Sequence, residues 1–291
     1  MAVVVRRSRK AKEAVLAYAM LAPLLVVFAV FAYYPFYRII HFALYQNYSN
    51  SDAERFVGTA GILDVLKSHD FLSGIWITVK FMLYTVPAGL VLGVLMAVAA
   101  HRRLKGIKIF QTIFSSTIAS SVAVSSVVFL TLVNRQAGYF QNVSWLNLET
   151  PGGAMRGVAL SSVWQNIGLT FIIVLAGLQA VPDEINEAAT LDGYGPVRRF
   201  FRVTVPMISP TLLFLAVVLV VQALQAYAQI EILTRGGPQK ATETLLYKIT
   251  QLQGRTDLQT GASMAIGLFV LTLIVSVGQF LMLNRRVHYD N

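Results

Sequence analysis

Three glutamines stand at positions 222, 225 and 229 inside an apolar stretch, and that i, i+3, i+7 spacing puts them on one face of a helix. Tyr227 and Glu231 share the stretch, and Trp164, Gln165 and Asn166 sit together in an earlier one. These side chains can donate hydrogen bonds to a polar solute and accept them from it. Polar groups within a membrane are costly against lipid, so they face either a solute path or another helix. Bonding to another helix would stabilise packing by about 0.6–2 kcal/mol per contact. The residue types allow both readings.

Little else in the chain suggests chemistry. Lys80 and Arg38 lie near the ends of apolar stretches, where each either attracts a phosphate or snorkels its charge to the membrane surface. Glu231 either meets a cationic group such as choline or is solvated. There is no cysteine, and His41, His69, His101 and His288 are scattered with no HExxH pair, so no thiolate chemistry and no metal site are expected. No Walker A loop, GxSxG elbow or GxGxxG turn occurs. No acid, base and nucleophile come together as an enzyme would need. A net charge of +10 would suit a nucleic-acid partner, but the basic residues gather at the ends of apolar stretches and form no stripe.

The elements that must position these groups are membrane spans. Of 291 residues, 56% are hydrophobic and 13% charged, the balance of a polytopic membrane protein. Six stretches, at about 14–34, 71–99, 107–133, 157–181, 208–231 and 262–283, reach the roughly 20 mainly apolar residues that a crossing helix needs. The first follows Arg6, Arg7, Arg9, Lys10 and Lys12 as a signal peptide would. It is too long for one and lacks a small-residue cleavage site, so it reads as a retained anchor. With the N terminus inside, 14 Lys and Arg fall in cytoplasmic segments and 8 in external loops, which puts both termini in the cytoplasm. Gly89-x-x-x-Gly93 and the small-residue run at 115–126 offer surfaces for close helix packing. The expected organisation is a basic cytoplasmic segment at 1–13, a transmembrane domain at 14–283 and a cytoplasmic tail at 284–291, without internal repeats.

The loop at 182–206 is polar and falls on the cytoplasmic side by this reckoning. Pro182 suits the start of a helix, and Asp183, Glu184 and Glu187 complement the positive end of its dipole. Gly193 suits its C-terminal cap and Pro196 the start of a second short helix. Ile185, Ala188, Ala189 and Asp192 share a face by spacing, and small alanines there would let the helix sit close in a groove of another protein. Pro206 and Pro210 mark the return to the fifth span. An interfacial linker with no partner would read similarly.

The spelling Glu187-Ala188-Ala189-x-x-Asp192-Gly193, followed by Phe200, Val203, Val205 and Pro206, resembles the EAA loop of permease subunits in ATP-binding-cassette importers. Val203 and Val205 stand where that family often has Ile and Leu. Pro23, Tyr34-Pro35 and the run Leu233-Thr234-Arg235-Gly236-Gly237-Pro238 with Ala241-Thr242-Glu243-Thr244-Leu245 are similar to the larger-type carbohydrate permeases. The sets Gly195-Pro196-Val197-Arg198-Arg199-Phe200-Phe201 and Thr244-Leu245-Leu246-Tyr247-Lys248-Ile249, with Arg286-Val287-His288-Tyr289, resemble the glycerol-3-phosphate branch.

The resemblance implies an all-α, type I importer permease fold of about six spans in a bacterial inner membrane. It implies a second homologous permease, an ATPase pair inside that binds ATP and Mg, and an external solute-binding protein or lipoprotein. This chain would hold no cofactor and catalyse nothing. Glu187, Ala188, Ala189, Asp192, Gly193 and Pro206 would couple it to the ATPase, and Gln222, Gln225, Tyr227, Gln229, Glu231, Trp164 and Asn166 are its candidates for the substrate path. The family often has Asn or Asp where this chain has Gln225. The expected cargo is glycerol 3-phosphate or a glycerophosphodiester such as glycerophosphocholine, and the alternative is a disaccharide such as trehalose or maltose. An ion-coupled secondary transporter is a further class, but the stretches have no charged relay at their centres.

Overall fold

The computed structural model describes residues 2–47, 54–101, 106–253 and 257–284. The first stretch runs as α1 (Ala2–Phe28), a π-helical turn at Ala29–Tyr33 and α2 (Tyr34–Leu44). Pro35 lacks an N–H for the helical ladder, and just before it the Tyr34 N–H reaches back five residues to the Ala29 carbonyl. Every side chain from 14 to 38 is exposed, so this part of the helix stays together through its own backbone and offers all its faces to lipid or to a partner. An antiparallel ribbon of β1 (Tyr45–Asn47) and β2 (Glu54–Phe56) follows, closed by the rings of Tyr45 and Phe56 at 5.2 Å, and then α3 (Gly58–Lys67). Residues 1–66 form one compact unit with 252–266.

The second unit comprises 67–251 and 267–291. In chain order come α4 (His69–Ala100), α5 (Ile107–Ser115), α6 (Val122–Val133) and α7 (Pro151–Gln179). Then follow α8 (Asp183–Leu191), α9 (Pro196–Arg199), α10 (Val205–Met207) and α11 (Ser209–Leu224). The chain continues through α12 (Ala228–Leu233), α13 (Leu245–Gln253) and α14 (Leu258–Asn284), with the end of α13 and the start of α14 in the first unit. Its centre is α4 against α7. Ser68 and Thr150 cap the two helices, accepting from the N–H groups of Phe71 and Gly153, each at 3.2 Å. Phe71, Gly74, Thr78, Phe81, Thr85, Gly89, Gly93, Ala97 and Ala100 make the buried stripe of α4 at steps of three and four. The helices run in the same direction, since Gly89 faces Asn166 and Gly93 faces Thr170. Of the two glycines, Gly93 is the one that close packing requires: a Cβ there would collide with the Thr170 side chain, whereas one at Gly89 has room.

Two hydrophobic clusters flank the pair. Phe81, Phe129, Met155, Val158 and Ile230 fill one, and Ala97, Phe171, Val174, Ile208 and Leu215 the other. Among the described residues, four helices are long and apolar enough to cross a membrane: Ala14–Leu44, His69–Ala100, Pro151–Gln179 and Leu258–Met282. The stretches expected at 107–133 and 208–231 are not single helices. The former bends by 105° between Ala119 and Val122, and the latter is preceded by a 72° bend at Ile208. Counting each bent pair as one span gives six.

The small-residue run at 115–126 explains the first bend. Ser115, Ser116, Thr117 and Ser120 each turn their hydroxyl onto the carbonyl three residues back, at 2.7–3.1 Å, offering the backbone an alternative to the helical ladder. Ser121 then caps α6 through the Val124 N–H at 3.2 Å. The run makes an elbow as well as the packing surface expected of it.

Candidate functional site

The helix carrying Gln222 stops two residues later. Gln225 N–H still reaches the Val221 carbonyl at 3.1 Å, but Tyr227 leaves helical geometry at φ −136° and ψ −62° before α12 begins. Unwound backbone inside a membrane is tolerated only where protein or a cavity satisfies it. Here the Thr244 hydroxyl donates to the Ala226 carbonyl at 3.0 Å, and the Thr78 hydroxyl accepts from the Leu245 N–H at 2.9 Å, tying the break through α13 to α4.

A cleft of about 370 Å³ opens beside this break. Gln222, Gln225 and Gln229 line it from one side, and Ser161, Ser162, Gln165 and Asn166 of α7 from the other, with Thr85 of α4 between them. The amides divide into two kinds. Gln165 is satisfied: it donates to the Ser120 carbonyl at 3.1 Å and accepts from the Ser125 hydroxyl at 2.5 Å, pinning the elbow. The side chains of Gln222, Gln225, Gln229 and Asn166 make no hydrogen bond among the described residues, although Gln229 is only 9% exposed. Of the two readings open to these amides, interhelical bonding describes Gln165 and a polar cleft describes the other four.

The remaining candidates lie elsewhere. Trp164 packs on Phe129 at 5.7 Å, one residue and so about 100° around α7 from Gln165. Tyr227 stacks on Tyr247 at 6.0 Å, and Glu231 accepts from the Gln251 amide at 3.4 Å and from the Tyr247 hydroxyl. Burial first, and then the Glu231 carboxylate, push the Tyr247 hydroxyl up to about 12. Neither Tyr227, Glu231 nor Trp164 lines the cleft. Arg38 lies over the Phe42 ring at 4.6 Å. The hydroxyls of Thr85, Ser161 and Ser162 were not among the candidates; Ser161 and Ser162 stand one helical turn before Gln165 and Asn166, and that spacing was the available signal.

The 182–206 loop folds as two short helices with their ends tied. Tyr194 N–H bonds to the Ala189 carbonyl and Gly193 N–H to that of Thr190, both at 3.0 Å, with Gly193 at φ +76°. This is a Schellman cap, which favours glycine because a Cβ is strained there. Arg199 donates to the Thr190 hydroxyl at 2.7 Å and Arg198 stacks over the Tyr194 ring at 4.4 Å, joining the helices. Beyond them a π-helical turn at Phe200–Thr204 leads to Pro206 and the bend at Ile208. The face grouped from the sequence does not all point one way. Ala189 is buried and Ile185 half-buried, while Ala188 and Asp192 are exposed. The outward face is Glu184, Glu187, Ala188 and Leu191, with Leu191 89% exposed.

Residues 89–289 match the family described as "Binding-protein-dependent transport system inner membrane component". The sn-glycerol-3-phosphate transport system permease protein UgpA of Escherichia coli is 32% identical over 247 residues, 82% of this chain and 83% of that protein. Its counterpart from Yersinia pestis is 33% identical over the same shares. Among solved structures, a bacterial alginate ABC transporter in complex with an alginate pentasaccharide-bound periplasmic protein superimposes with a TM-score of 0.82 at 21% identity, covering 97% of this chain and 99% of that one. The MetNI methionine ABC transporter in inward-facing conformations gives 0.58 at 13%, covering 75% and 96%. Fold and sequence agree, and the chain belongs to the inner-membrane components of binding-protein-dependent transport systems, as a permease subunit of an ATP-binding-cassette importer.

Proposed function

We propose that this permease takes up sn-glycerol 3-phosphate or a glycerophosphodiester. The observation that carries the reading is the naming of its relatives, which align along most of the chain. The cleft is compatible with it: unpaired amides of Gln222, Gln225, Gln229 and Asn166 can bond the hydroxyls of a glycerol unit. Both termini lie in the cytoplasm, so the 182–206 loop faces a partner ATPase pair, which binds ATP and Mg. Glu187, Ala188, Ala189, Asp192 and Gly193 form the lever, and Pro206 relays its movement to α11. A second permease supplies the other half of the path, and an external binding protein or lipoprotein delivers the solute. The chain itself is not catalytic and carries no cofactor.

One observation favours a disaccharide such as trehalose or maltose. The described residues around the cleft include amides and hydroxyls but no Lys or Arg, a lining that matches a neutral sugar. Proteoliposomes holding the assembled importer and internal ATP decide between them. Accumulation of labelled sn-glycerol 3-phosphate, undiminished when ion gradients are collapsed, is expected. Accumulation of trehalose or maltose with none of the phosphate ester would sink the proposal.

A further inference from the structure

Among the described residues no cation lines the glutamine cleft to meet a phosphate, but a second cleft in the same unit has three. It measures about 400 Å³ and lies where α4 and α7 begin. Because these helices run in the same direction, both N termini open on it, through His69 and Asp70 of one and Pro151 and Gly152 of the other. Each adds the partial positive charge of a helix N terminus. Three lysines join them: Lys80, Lys240 and Lys248.

The lysines differ in how they are satisfied. Lys248 is 9% exposed and bound within the chain, donating to the Asp70 carbonyl at 3.0 Å, the Ser73 hydroxyl at 2.9 Å and the Asp70 carboxylate at 3.3 Å. Lys80 and Lys240 are exposed, and among the described residues no carboxylate lies within ion-pair distance of either. Two exposed ammonium groups lining one cleft give it a positive potential that a bound anion would offset.

Lys240 is also held in place. Its backbone is left-handed at φ +61°, as are Gln239 at +51° and Arg235 at +49°. Non-glycine residues persist there when their surroundings fix them. The fixing groups are the Thr234–Thr242 hydroxyl pair at 2.7 Å and the bonds from Thr242 to the Gly236 and Gly237 carbonyls, both at 3.1 Å. On α4, Trp76, Lys80 and Tyr84 follow at steps of four, so two aromatic side chains share the Lys80 face of the helix and line the cleft with it.

We propose that this cleft binds a phosphate group between the Lys80 and Lys240 ammonium groups, carried either by a soluble phosphate ester or by the headgroup of an anionic lipid. Two ammonium donors and two helix N termini suit a tetrahedral anion with several acceptor oxygens. The aromatic wall suits the carbon portion attached to it. Its use as a first station for transported solute rests on the glycerol-phosphate reading above, whereas the binding does not.

The test is lysine footprinting on the assembled importer in phosphatidylcholine nanodiscs, with acylation of each lysine followed by mass spectrometry. Inorganic phosphate, against chloride at equal ionic strength, is expected to slow acylation of Lys80 and Lys240 severalfold and to leave exposed Lys108 unchanged. Protection that arises without added phosphate, once phosphatidylglycerol is included, also supports the site and identifies the lipid as its source. Equal rates under all these conditions, or equal slowing at Lys108, overturn the proposal. In a second arm, the exposed substitutions Lys80→Gln and Lys240→Gln are combined. They are expected to raise the KM for sn-glycerol 3-phosphate uptake about tenfold, the loss of a charge-assisted bond or two, with maximal rate and thermal stability unchanged. An unchanged KM overturns the role in uptake. An importer that carries only a disaccharide yet shows the protection sinks the glycerol-phosphate reading and keeps the site.

Discussion

At the 182–206 segment the helix ends are tied within the chain and apolar side chains point outward; at the 225–227 break the backbone is likewise tied, but amides are left unpaired around a cleft. Tyr194, Gly193 and Arg199 satisfy the turn between α8 and α9, while Leu191 and Val197 are 89% and 70% exposed. Thr244 satisfies Ala226, while the side chains of Gln222, Gln225, Gln229 and Asn166 bond nothing among the described residues. A stable surface with free apolar groups and no free backbone suits a protein partner. A lined cavity with free amides suits a small polar solute. The two proposed roles thus divide with the interruptions, and what each leaves unsatisfied tells them apart.

The largest effect should come from the first region. Gly193→Pro removes the N–H that bonds Thr190 and demands a negative φ where the chain has +76°. Uptake is expected to fall to background with membrane insertion intact; normal uptake by a correctly assembled complex would remove the lever role. Leu191→Asp leaves the backbone alone. On a merely solvated face it would change stability by no more than about 0.5 kcal/mol. As part of a docking face it should also weaken ATPase binding by about 10- to 100-fold, a loss typical of a buried anchor. Co-purification of the ATPase with the variant permease, scored against melting temperature, separates the two.

How much of this was legible follows the same division. The fold was, because apolar length and helix punctuation are local: the stretch read at 71–99 lies within His69–Ala100, and Gly193 takes the left-handed cap its type suggests. The interruptions were not. Neither 120–121 nor 225–227 contains Gly or Pro, the residues that usually announce a break. The elbow depends on hydroxyls competing with the ladder, and the Gln225 break on Thr244, 18 residues beyond the carbonyl it serves. For the cleft, spacing put Gln222, Gln225 and Gln229 on one side, but it could not say that Trp164 and Glu231 turn away into the core and onto Tyr247.

Within the cleft, two glutamines should behave in opposite ways. Gln229→Leu removes an amide that bonds nothing among the described residues, so melting temperature should hold while the KM for uptake rises about tenfold, the cost of one lost solute bond. Gln165→Leu removes bonds to Ser120 and Ser125 and should lower stability by about 1–3 kcal/mol, because a carbonyl at the elbow loses its donor. Thermal denaturation and uptake kinetics on both variants decide it. If Gln165→Leu raised KM without lowering stability, the division between paired and unpaired amides would fail.

The smallest effect belongs to Tyr247, which borders the same break but is paired. Tyr247→Phe deletes the hydrogen bond to Glu231 and should cost about 0.5–1.5 kcal/mol at neutral pH with KM unchanged. Its pH dependence has a definite sign. The hydroxyl ionises at about 12 in the folded chain against an ordinary value of 10.0, so between those limits the unfolded chain has released the proton and the folded chain has kept it. The stabilisation from keeping the neutral form is therefore complete below pH 10 and lost as pH rises towards 12. Denaturation of the wild type should steepen with pH across that window, and the Phe variant, with no proton to lose at this position, should show less of that slope. Equal slopes would mean that Tyr247 is not held neutral by burial beside Glu231, and the group would then belong with the unpaired amides of the cleft.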